Sequence, residues 1–203
     1  MQAEITPLFA VPVYQSDTGT LDFLQEINFL NSLEFIKAKT NYVTTDVTVL
    51  ESLELTKCLD ICKEHLDIYV KNTLDCTQEF YITNSWIAKS SPGDKHHVHF
   101  HPNSIISGVL YLQSDELAGD IILHHKSSLR NNFDFSYDFN SYNIFNSPTW
   151  RYKVVTGQIL IFPSWVNHSV EENRSSRDRI ILGFNTFVKG TFGSSEYSAN
   201  LKI

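Results

Sequence analysis

From about residue 80 onward, the chain is a succession of short segments in which apolar and polar residues alternate. A period of two places one side-chain face of each strand in a core. Gly, Pro, Asn and Asp stand between the segments and mark turns. Many short strands with regular turns are typical of a β-sandwich or a β-barrel. The segments that we predict as strands are 80–88, 107–113, 120–124, 151–155, 158–162, 168–171 and 179–188.

The first part of the chain has a different pattern. Residues 20–75 favour helices, and residues 5–14, which include two prolines, favour an extended segment. We therefore predict a helical layer that covers one face of an antiparallel double sheet. The clearest apolar helical face contains Leu55, Leu59, Cys62, Leu66, Tyr69 and Val70.

The composition limits the classes of function. The 203 residues are 42% hydrophobic and 13% aromatic, which supports a core and excludes a disordered chain. The formal net charge of −7 disfavours binding to bulk nucleic acid, because phosphates repel an acidic surface. No apolar run is long enough to cross a membrane, so no membrane association is predicted.

The cysteines and the N-terminus indicate a compartment. An odd number of cysteines, three, argues against a disulfide framework and favours a reducing environment. The first residues lack the basic segment and apolar run of a signal peptide. We therefore predict a cytoplasmic location. Cys58 and Cys62 lie four residues apart and could bind a metal, but thiols buried on a helix face are the simpler interpretation.

Histidines are concentrated in one short segment. Four of the eight lie between residues 96 and 101, after a Pro-Gly turn and before a predicted strand. On an extended segment, side chains two residues apart share a face, so His97, His99 and His101 could converge. Imidazole is a ligand for iron, zinc, copper and nickel. The spacing is consistent with a metal site and also with a solvated polar loop.

A second polar feature lies downstream. Residues 157–162 are predicted to form a turn and a buried strand, and His168 follows at the start of the next strand. Arg179 opens a further apolar strand. Because charged side chains are rarely buried without a partner, Arg179 needs an anion. That anion is either a carboxylate of the protein or a bound carboxylate held by two parallel hydrogen bonds.

Three segments together resemble the signatures of a family of 2-oxoglutarate/Fe(II)-dependent oxygenases found in bacteria and phages. Residues 99–112 match the pattern H-x-H-P-x-S-x-x-S-G-V-x-Y-L. Residues 162–168 (F-P-S-W-V-N-H) and 179–185 (R-I-I-L-G-F-N) match the second and third signatures. The resemblance implies a double-stranded β-helix (jelly roll), with non-haem Fe(II), 2-oxoglutarate as co-substrate and O₂ as oxidant.

Carried over to this chain, the resemblance implies that His99 and His168 bind iron and that Arg179 holds the far carboxylate of 2-oxoglutarate. In the wider superfamily an Asp or Glu stands two residues after the first His, and here that position is His101. We interpret His101 as the third ligand, with His97 in reserve. If neither binds, the iron has two protein ligands and an extra open position.

Other positions are weaker candidates. The arginine of the superfamily is often followed by x-Ser, and Ile181 here removes that hydroxyl contact. Tyr111 either reaches the co-substrate carboxylate or serves only as a core tyrosine. Asn84 and Trp86 are candidates for a substrate pocket, although Trp86 could also be a core residue. Residues 131–147 lack any period, which is typical of a lid or a binding loop.

We predict one oxygenase domain over residues 1–203, and the resemblance covers roughly residues 80–190 of it. Its expected parts are an N-terminal strand and helical layer (1–79), a jelly-roll core (80–190) and a C-terminal tail (191–203). The expected reaction is hydroxylation of a small molecule or a side chain by a dioxygenase that converts 2-oxoglutarate to succinate. The oligomeric state is left open.

The sequence is also compatible with two other functions. One is a cupin-like enzyme that uses three histidines without 2-oxoglutarate, and it gains if Arg179 pairs with a protein carboxylate. The other is a non-catalytic jelly-roll binding module, which would not bind Fe(II).

Overall fold

A computed structural model describes residues 3–19, 22–125, 138–193 and 199–203. Within these ranges the α-helices are α1 (Leu24–Phe29) and α2 (Thr56–Thr73), and short 3₁₀ helices span Leu30–Ser32, Val49–Glu51 and Leu53–Leu55. The strands are β1 (Tyr14–Asp17), β2 (Phe35–Lys37), β3 (Tyr42–Thr44), β4 (Glu79–Ser90), β5 (His96–His99), β6 (Ile106–Gln113), β7 (Ile121–His124), β8 (Thr149–Tyr152), β9 (Gln158–Pro163), β10 (Asn167–Val170), β11 (Arg179–Lys189), β12 (Thr191–Phe192) and β13 (Leu201–Lys202).

Two antiparallel sheets form the body of the protein. The large sheet has seven strands in the order β1-β9-β6-β11-β4-β3-β2, and the small sheet has four in the order β5-β10-β7-β8. An apolar cluster joins them, with Tyr111 and Phe162 from the large sheet against Ile121 and Leu123 from the small one. The predicted mainly β architecture is therefore confirmed, and all seven predicted strands are present within a few residues of their predicted bounds.

The central strands of the large sheet are buried on both faces, and the alternation of side chains along each strand determines which residues lie on which face. In β11, Ile180, Leu182 and Phe184 belong to the core beneath the helices. The intervening Arg179 and Gly183 line a cavity on the other face, between the sheets. This alternation is the period-two pattern that the sequence shows.

Helix α2 covers the outer face of the large sheet, as predicted. Cys58, Cys62 and Leu66 are buried in one cluster with Leu110 and Ile159 of the sheet. Burial raises the pKa of the Cys58 thiol to about 12. Both thiols are completely buried among apolar side chains. The interpretation of these cysteines as core residues is confirmed.

The helical prediction for residues 20–75 is wrong in its middle part. Residues 35–44 form the β2–β3 hairpin, which extends the large sheet by pairing β3 with β4. Each strand has only three residues, which is too short for an alternation to appear in the sequence. Similarly, the extended segment predicted at 5–14 becomes a strand only from Tyr14.

The remaining predictions about segments have mixed outcomes. The predicted tail contains a small two-stranded pairing of β12 with β13. Residues 131–137 of the proposed lid lie outside the described residues, and 138–147 contain turns without a helix or strand. No helix within the described ranges is long and apolar enough to cross a lipid bilayer.

Gly108 is required by the close approach of two strands. A Cβ atom at this position would lie 2.1 Å from Cζ of Phe184 on β11. We expect Gly108→Ala to lower the free energy of unfolding by about 2–3 kcal/mol, because the added methyl group would force the buried ring of Phe184 to shift. Denaturant unfolding followed by circular dichroism would measure this loss.

Gly93→Ala is the matched control for that substitution. Gly93 has a φ of +92° and open space around its Cα, so only the backbone conformation is penalised, by about 1 kcal/mol. Equal losses for the two variants would contradict the packing argument.

Candidate metal centre

The first two histidines of the site come from adjacent strands. His99 is the last residue of β5, and His168 lies directly opposite it on β10 in the antiparallel register. Their ring centroids are 4.2 Å apart. Strand pairing therefore brings together two imidazoles that are far apart in the sequence, and it does so independently of any loop.

His101 reaches the same point from the loop after β5. Its Nε2 lies 3.3 Å from Nε2 of His168. Its backbone N–H donates to the carbonyl of Ser164 at 3.0 Å, which ties the loop after β5 to the loop after β9. One nitrogen from each of His99, His101 and His168 lies within 4.8 Å of the other two. The structure thus brings together all three predicted ligands.

Backbone carbonyls orient two of these rings. The Nδ1–H of His168 donates to the carbonyl of Val166 at 3.0 Å, and the Nδ1–H of His99 donates to that of His97 at 2.9 Å. Because a carbonyl can only accept, Nδ1 carries the proton and Nε2 keeps its lone pair. Metal-binding histidines are commonly held in this way. A cation is the natural partner for the lone pairs that face each other here.

The protonation state also suits a metal. Burial, with the neighbouring histidines, lowers the pKa of His101 to about 4 and that of His168 well below its ordinary value. Burial lowers the pKa of His99 as well. The three imidazoles are therefore neutral near pH 7, and the neutral form is the one that binds metals.

A fourth histidine of the cavity is His96, which sequence reasoning missed. His97, the reserve ligand, is exposed and does not line the cavity, whereas His96 does. The ring of His96 lies 4.4 Å from that of His99. The cause is a register irregularity opposite β10, which breaks the simple alternation along β5.

Arg179 forms the other polar part of the cavity. It is buried with 3% of its surface exposed, and it donates to the carbonyls of Ala118 and Glu171 and to the hydroxyl of Ser90. Among the described residues, no carboxylate lies within ion-pair distance of this guanidinium. A pairing of Arg179 with a protein carboxylate would have favoured the cupin-like enzyme, and the described residues show no such pairing. The guanidinium can therefore bind an anion from outside the protein.

Two more predicted residues line the cavity. Tyr111 is buried on β6, where burial raises the pKa of its hydroxyl, so the hydroxyl keeps its proton. Trp86 also lines the cavity, with its ring 5.5 Å from that of His101. The indole lies over Gly183, where a Cβ would come within 2.5 Å of it. The absence of a side chain at 183 thus makes room for Trp86.

Asn84 does not line this cavity. It lies two residues beyond Trp86 on β4, next to a bulge in the pairing with β11. It borders a separate groove of about 620 Å³ between α2 and β4. Of the two candidates for a substrate pocket, Trp86 thus lines the cavity of the histidines and Asn84 does not.

A buried chain of hydroxyl groups fixes the two loops that carry His101 and His168. The Ser164 hydroxyl lies 2.7 Å from those of both Ser104 and Ser107, and Ser107 donates to Oδ1 of Asn185. The serines of the first and second signatures are thus linked to the asparagine of the third. Ser164 is 60 and 57 residues away from Ser104 and Ser107 in the chain, so the sequence alone does not show this link.

Comparisons with known proteins agree with this site. A family described as "Putative 2OG-Fe(II) oxygenase" matches residues 84–185, which is half of the chain. The chain belongs to this family of 2-oxoglutarate/Fe(II) oxygenases. Fe(II), 2-oxoglutarate and O₂, predicted as cofactor, co-substrate and oxidant, are those of the family, and the three-histidine group suits the metal. A comparison with curated proteins found no significant sequence match.

Solved structures show the same fold. A prolyl-4-hydroxylase from Pseudomonas putida is 16% identical, with a TM-score of 0.57 over 86% of this chain and 92% of that one. HygX from Streptomyces hygroscopicus, with nickel, 2-oxoglutarate and hygromycin B bound, is 10% identical, with a TM-score of 0.59 over 87% of this chain and 83% of that one. The epimerase SnoN, in complex with Fe³⁺, α-ketoglutarate and nogalamycin RO, is 11% identical, with a TM-score of 0.63 over 87% and 78%. The predicted double-stranded β-helix is confirmed.

Replacing one histidine at a time tests the ligand assignment. We expect His99→Ala, His101→Ala and His168→Ala each to weaken Fe(II) binding at least about 100-fold, because each removes one of three donors. His97→Ala should bind as the wild type, since its ring is outside the cavity. Anaerobic titration with Fe(II) measures the affinities, and a His101→Ala variant that binds normally would exclude His101 as a ligand.

The buried histidines should make the metal-free protein sensitive to acid. In the folded state the pKa of His101 is about 4, whereas in the unfolded chain it is about 6.5. The unfolded chain therefore takes up a proton between these values and the folded protein does not, so stability falls as the pH falls through this range. We expect a loss on the order of 2 kcal/mol.

The variant His101→Asn isolates this effect. Denaturant unfolding at pH 7 and pH 4.5, with metal removed, should show a smaller pH dependence for the variant than for the wild type. The same dependence in both proteins would mean that His101 does not titrate in this way.

Proposed function

We propose that the protein is a non-haem Fe(II)- and 2-oxoglutarate-dependent dioxygenase that hydroxylates a small molecule or an amino-acid side chain, with conversion of 2-oxoglutarate to succinate and CO₂. One observation carries the proposal. Three neutral, convergent imidazoles and a buried guanidinium without a carboxylate partner among the described residues line one cavity. A metal and a dicarboxylate together would satisfy both.

Each group of the cavity has a defined task in this reaction. His99, His101 and His168 would hold the metal through Nε2 nitrogens that two backbone carbonyls help to orient. Arg179 would bind the far carboxylate of 2-oxoglutarate with its unused N–H groups, and Tyr111 would donate its hydroxyl hydrogen to the same anion. When bound, Fe(II) and 2-oxoglutarate supply the activation of O₂ and the oxidative decarboxylation.

The third histidine changes the charge of the site. Three imidazoles leave the full charge of Fe(II) uncompensated, whereas a carboxylate in the place of His101 would cancel one unit. Because opposite charges attract strongly in a buried site, this cavity should favour anionic co-substrates. His101 therefore strengthens the case for a dicarboxylate rather than a neutral ligand.

Water has to be kept from the reacting centre, and apolar side chains perform that task. Phe162 packs edge-on against His168, with ring centroids 4.9 Å apart. Ile121, Val170 and Ile181 complete the apolar wall. Trp86, beside His101, is placed to contact the prime substrate.

The ligands of structurally similar proteins and the surroundings of the site support the proposed substrate class. HygX and SnoN have each been crystallised with a small molecule, hygromycin B and nogalamycin RO respectively. A comparably polar organic molecule suits a cavity with one aromatic wall and several polar groups. The free thiols Cys58, Cys62 and Cys76 fit the reducing conditions of the cytoplasm, where we place the protein.

Replacing Arg179 tests the co-substrate. With Fe(II), O₂ and 2-oxoglutarate, the wild type should release succinate slowly even without its prime substrate. Arg179→Met should raise the 2-oxoglutarate concentration needed for this turnover at least about 100-fold, because a bidentate ion pair is lost. Its Fe(II) affinity should be unchanged, since Arg179 is not among the ligands.

Arg177→Met is the matched control. Arg177 is two residues away and exposed, with its guanidinium near Asp115. This variant should behave as the wild type in succinate assays by chromatography. A wild type that binds Fe(II) but neither binds nor consumes 2-oxoglutarate would overturn the proposed function.

A further inference from the structure

Asn41 reaches the cavity from outside the part of the chain that carries the family signatures. It lies in the turn of the β2–β3 hairpin, directly before β3, and it lines the same cavity as His96 and Arg179. The family match begins only at residue 84. The hairpin is therefore a wall of the site that none of the signatures describes.

The strand register places Asn41 in one row with Arg179. Arg179 pairs with Ser90 across β11 and β4. On the other side of β4, Tyr42 pairs with Lys89 and Val43 with Ala88. This register, continued by one residue beyond the start of β3, sets Asn41 opposite Ser90. Neighbouring strands are about 4.8 Å apart, and paired residues project to the same face. Asn41, Ser90 and Arg179 thus form a row across three strands, and all three line the cavity.

The side chain of Asn41 is buried without a partner. Only 4% of the residue is exposed, and Oδ1 has no hydrogen-bond partner in the part of the chain that the structure describes. No described residue makes a hydrogen bond to either end of this carboxamide, although its backbone carbonyl accepts from Ala38 in the hairpin turn. A buried amide without a partner is costly, so its presence points to a ligand that supplies the partner.

The neighbours of Asn41 define the chemistry of that ligand. The guanidinium of Arg179 donates to the Ser90 hydroxyl at 3.2 Å, and the hydroxyl hydrogen of Ser90 has no acceptor among the described residues. The row therefore presents donors and one positive charge. The two ends of a carboxamide are nearly isosteric, so a half-turn of the side chain puts the Nδ2 hydrogens where Oδ1 now lies. Such a row of donors suits a carboxylate.

We propose that Asn41 binds the far carboxylate of 2-oxoglutarate together with Ser90 and Arg179. This proposal rests on the proposed function above, and it assigns the β2–β3 hairpin to the co-substrate site. The neutral amide adds a donor without adding a second positive charge beside Arg179.

The test compares two ligands on the full chain loaded with Ni(II), which does not support turnover. Calorimetric titration gives the Kd of 2-oxoglutarate and of 2-oxobutyrate, a 2-oxo acid that lacks the second carboxylate. Asn41→Ala should raise the Kd of 2-oxoglutarate about 10-fold and leave the Kd of 2-oxobutyrate unchanged. Asn41→Asp should raise the Kd of 2-oxoglutarate further, because two carboxylates would then face each other.

Stability separates this role from a structural one. Since Asn41 has no partner to lose, metal-free Asn41→Ala should unfold at the same temperature as the wild type or a higher one. Thr40→Val is the control within the hairpin, because Thr40 also carries a buried, unpartnered hydroxyl but does not line the cavity. It should leave both Kd values unchanged.

Several outcomes would overturn the inference. They are an unchanged Kd of 2-oxoglutarate in Asn41→Ala, an equal loss for both ligands, or a loss in Thr40→Val as large as that in Asn41→Ala. If the Ni(II)-loaded wild type fails to bind 2-oxoglutarate at all, the proposed function fails first.

Discussion

The pairing of β5 with β10 is the interaction on which the site depends. It sets His99 opposite His168 with ring centroids 4.2 Å apart, so the backbone ladder itself places two of the three imidazoles. β5 is the edge strand of the small sheet and pairs only with β10, so the place of His99 opposite His168 depends on this one pairing. The third imidazole, that of His101, lies in a loop. Hydrogen bonds among the hydroxyls of Ser104, Ser107 and Ser164 hold this loop against the loop after β9.

The polar groups of the cavity are divided between two walls. The small sheet and its adjoining loop provide the imidazoles, which burial keeps neutral. The large sheet provides Arg179, which forms no ion pair with the described residues. A ligand that binds both walls at once needs a metal-chelating end and an anionic end. 2-Oxoglutarate has both, and family membership and cavity chemistry therefore lead to the same co-substrate.

Sequence reasoning was reliable where periodicity or a signature applied. The seven predicted strands and the buried face of α2 followed from periodicity. The meeting of His99 and His168 at one metal was implied by the family signatures, and His101 was our interpretation of the third ligand. Sequence reasoning failed where the local structure depends on pairing with a strand that is distant in the sequence. The three-residue strands of the β2–β3 hairpin are too short to show a period, and only pairing with β4 stabilises them. The irregularity that turns His96 inward, like the bulge beside Asn84, depends on the partner strand and leaves no mark in the sequence.

The β2–β3 hairpin joins the large sheet along a single edge. Its length and composition can therefore change without altering how β4 pairs with β11 or where the three imidazoles meet. An edge attachment of this kind works as an exchangeable module, comparable to a variable loop on a rigid scaffold. Grafting another hairpin onto β4 offers a route to retune which oxo acid such an enzyme accepts while its iron chemistry stays intact.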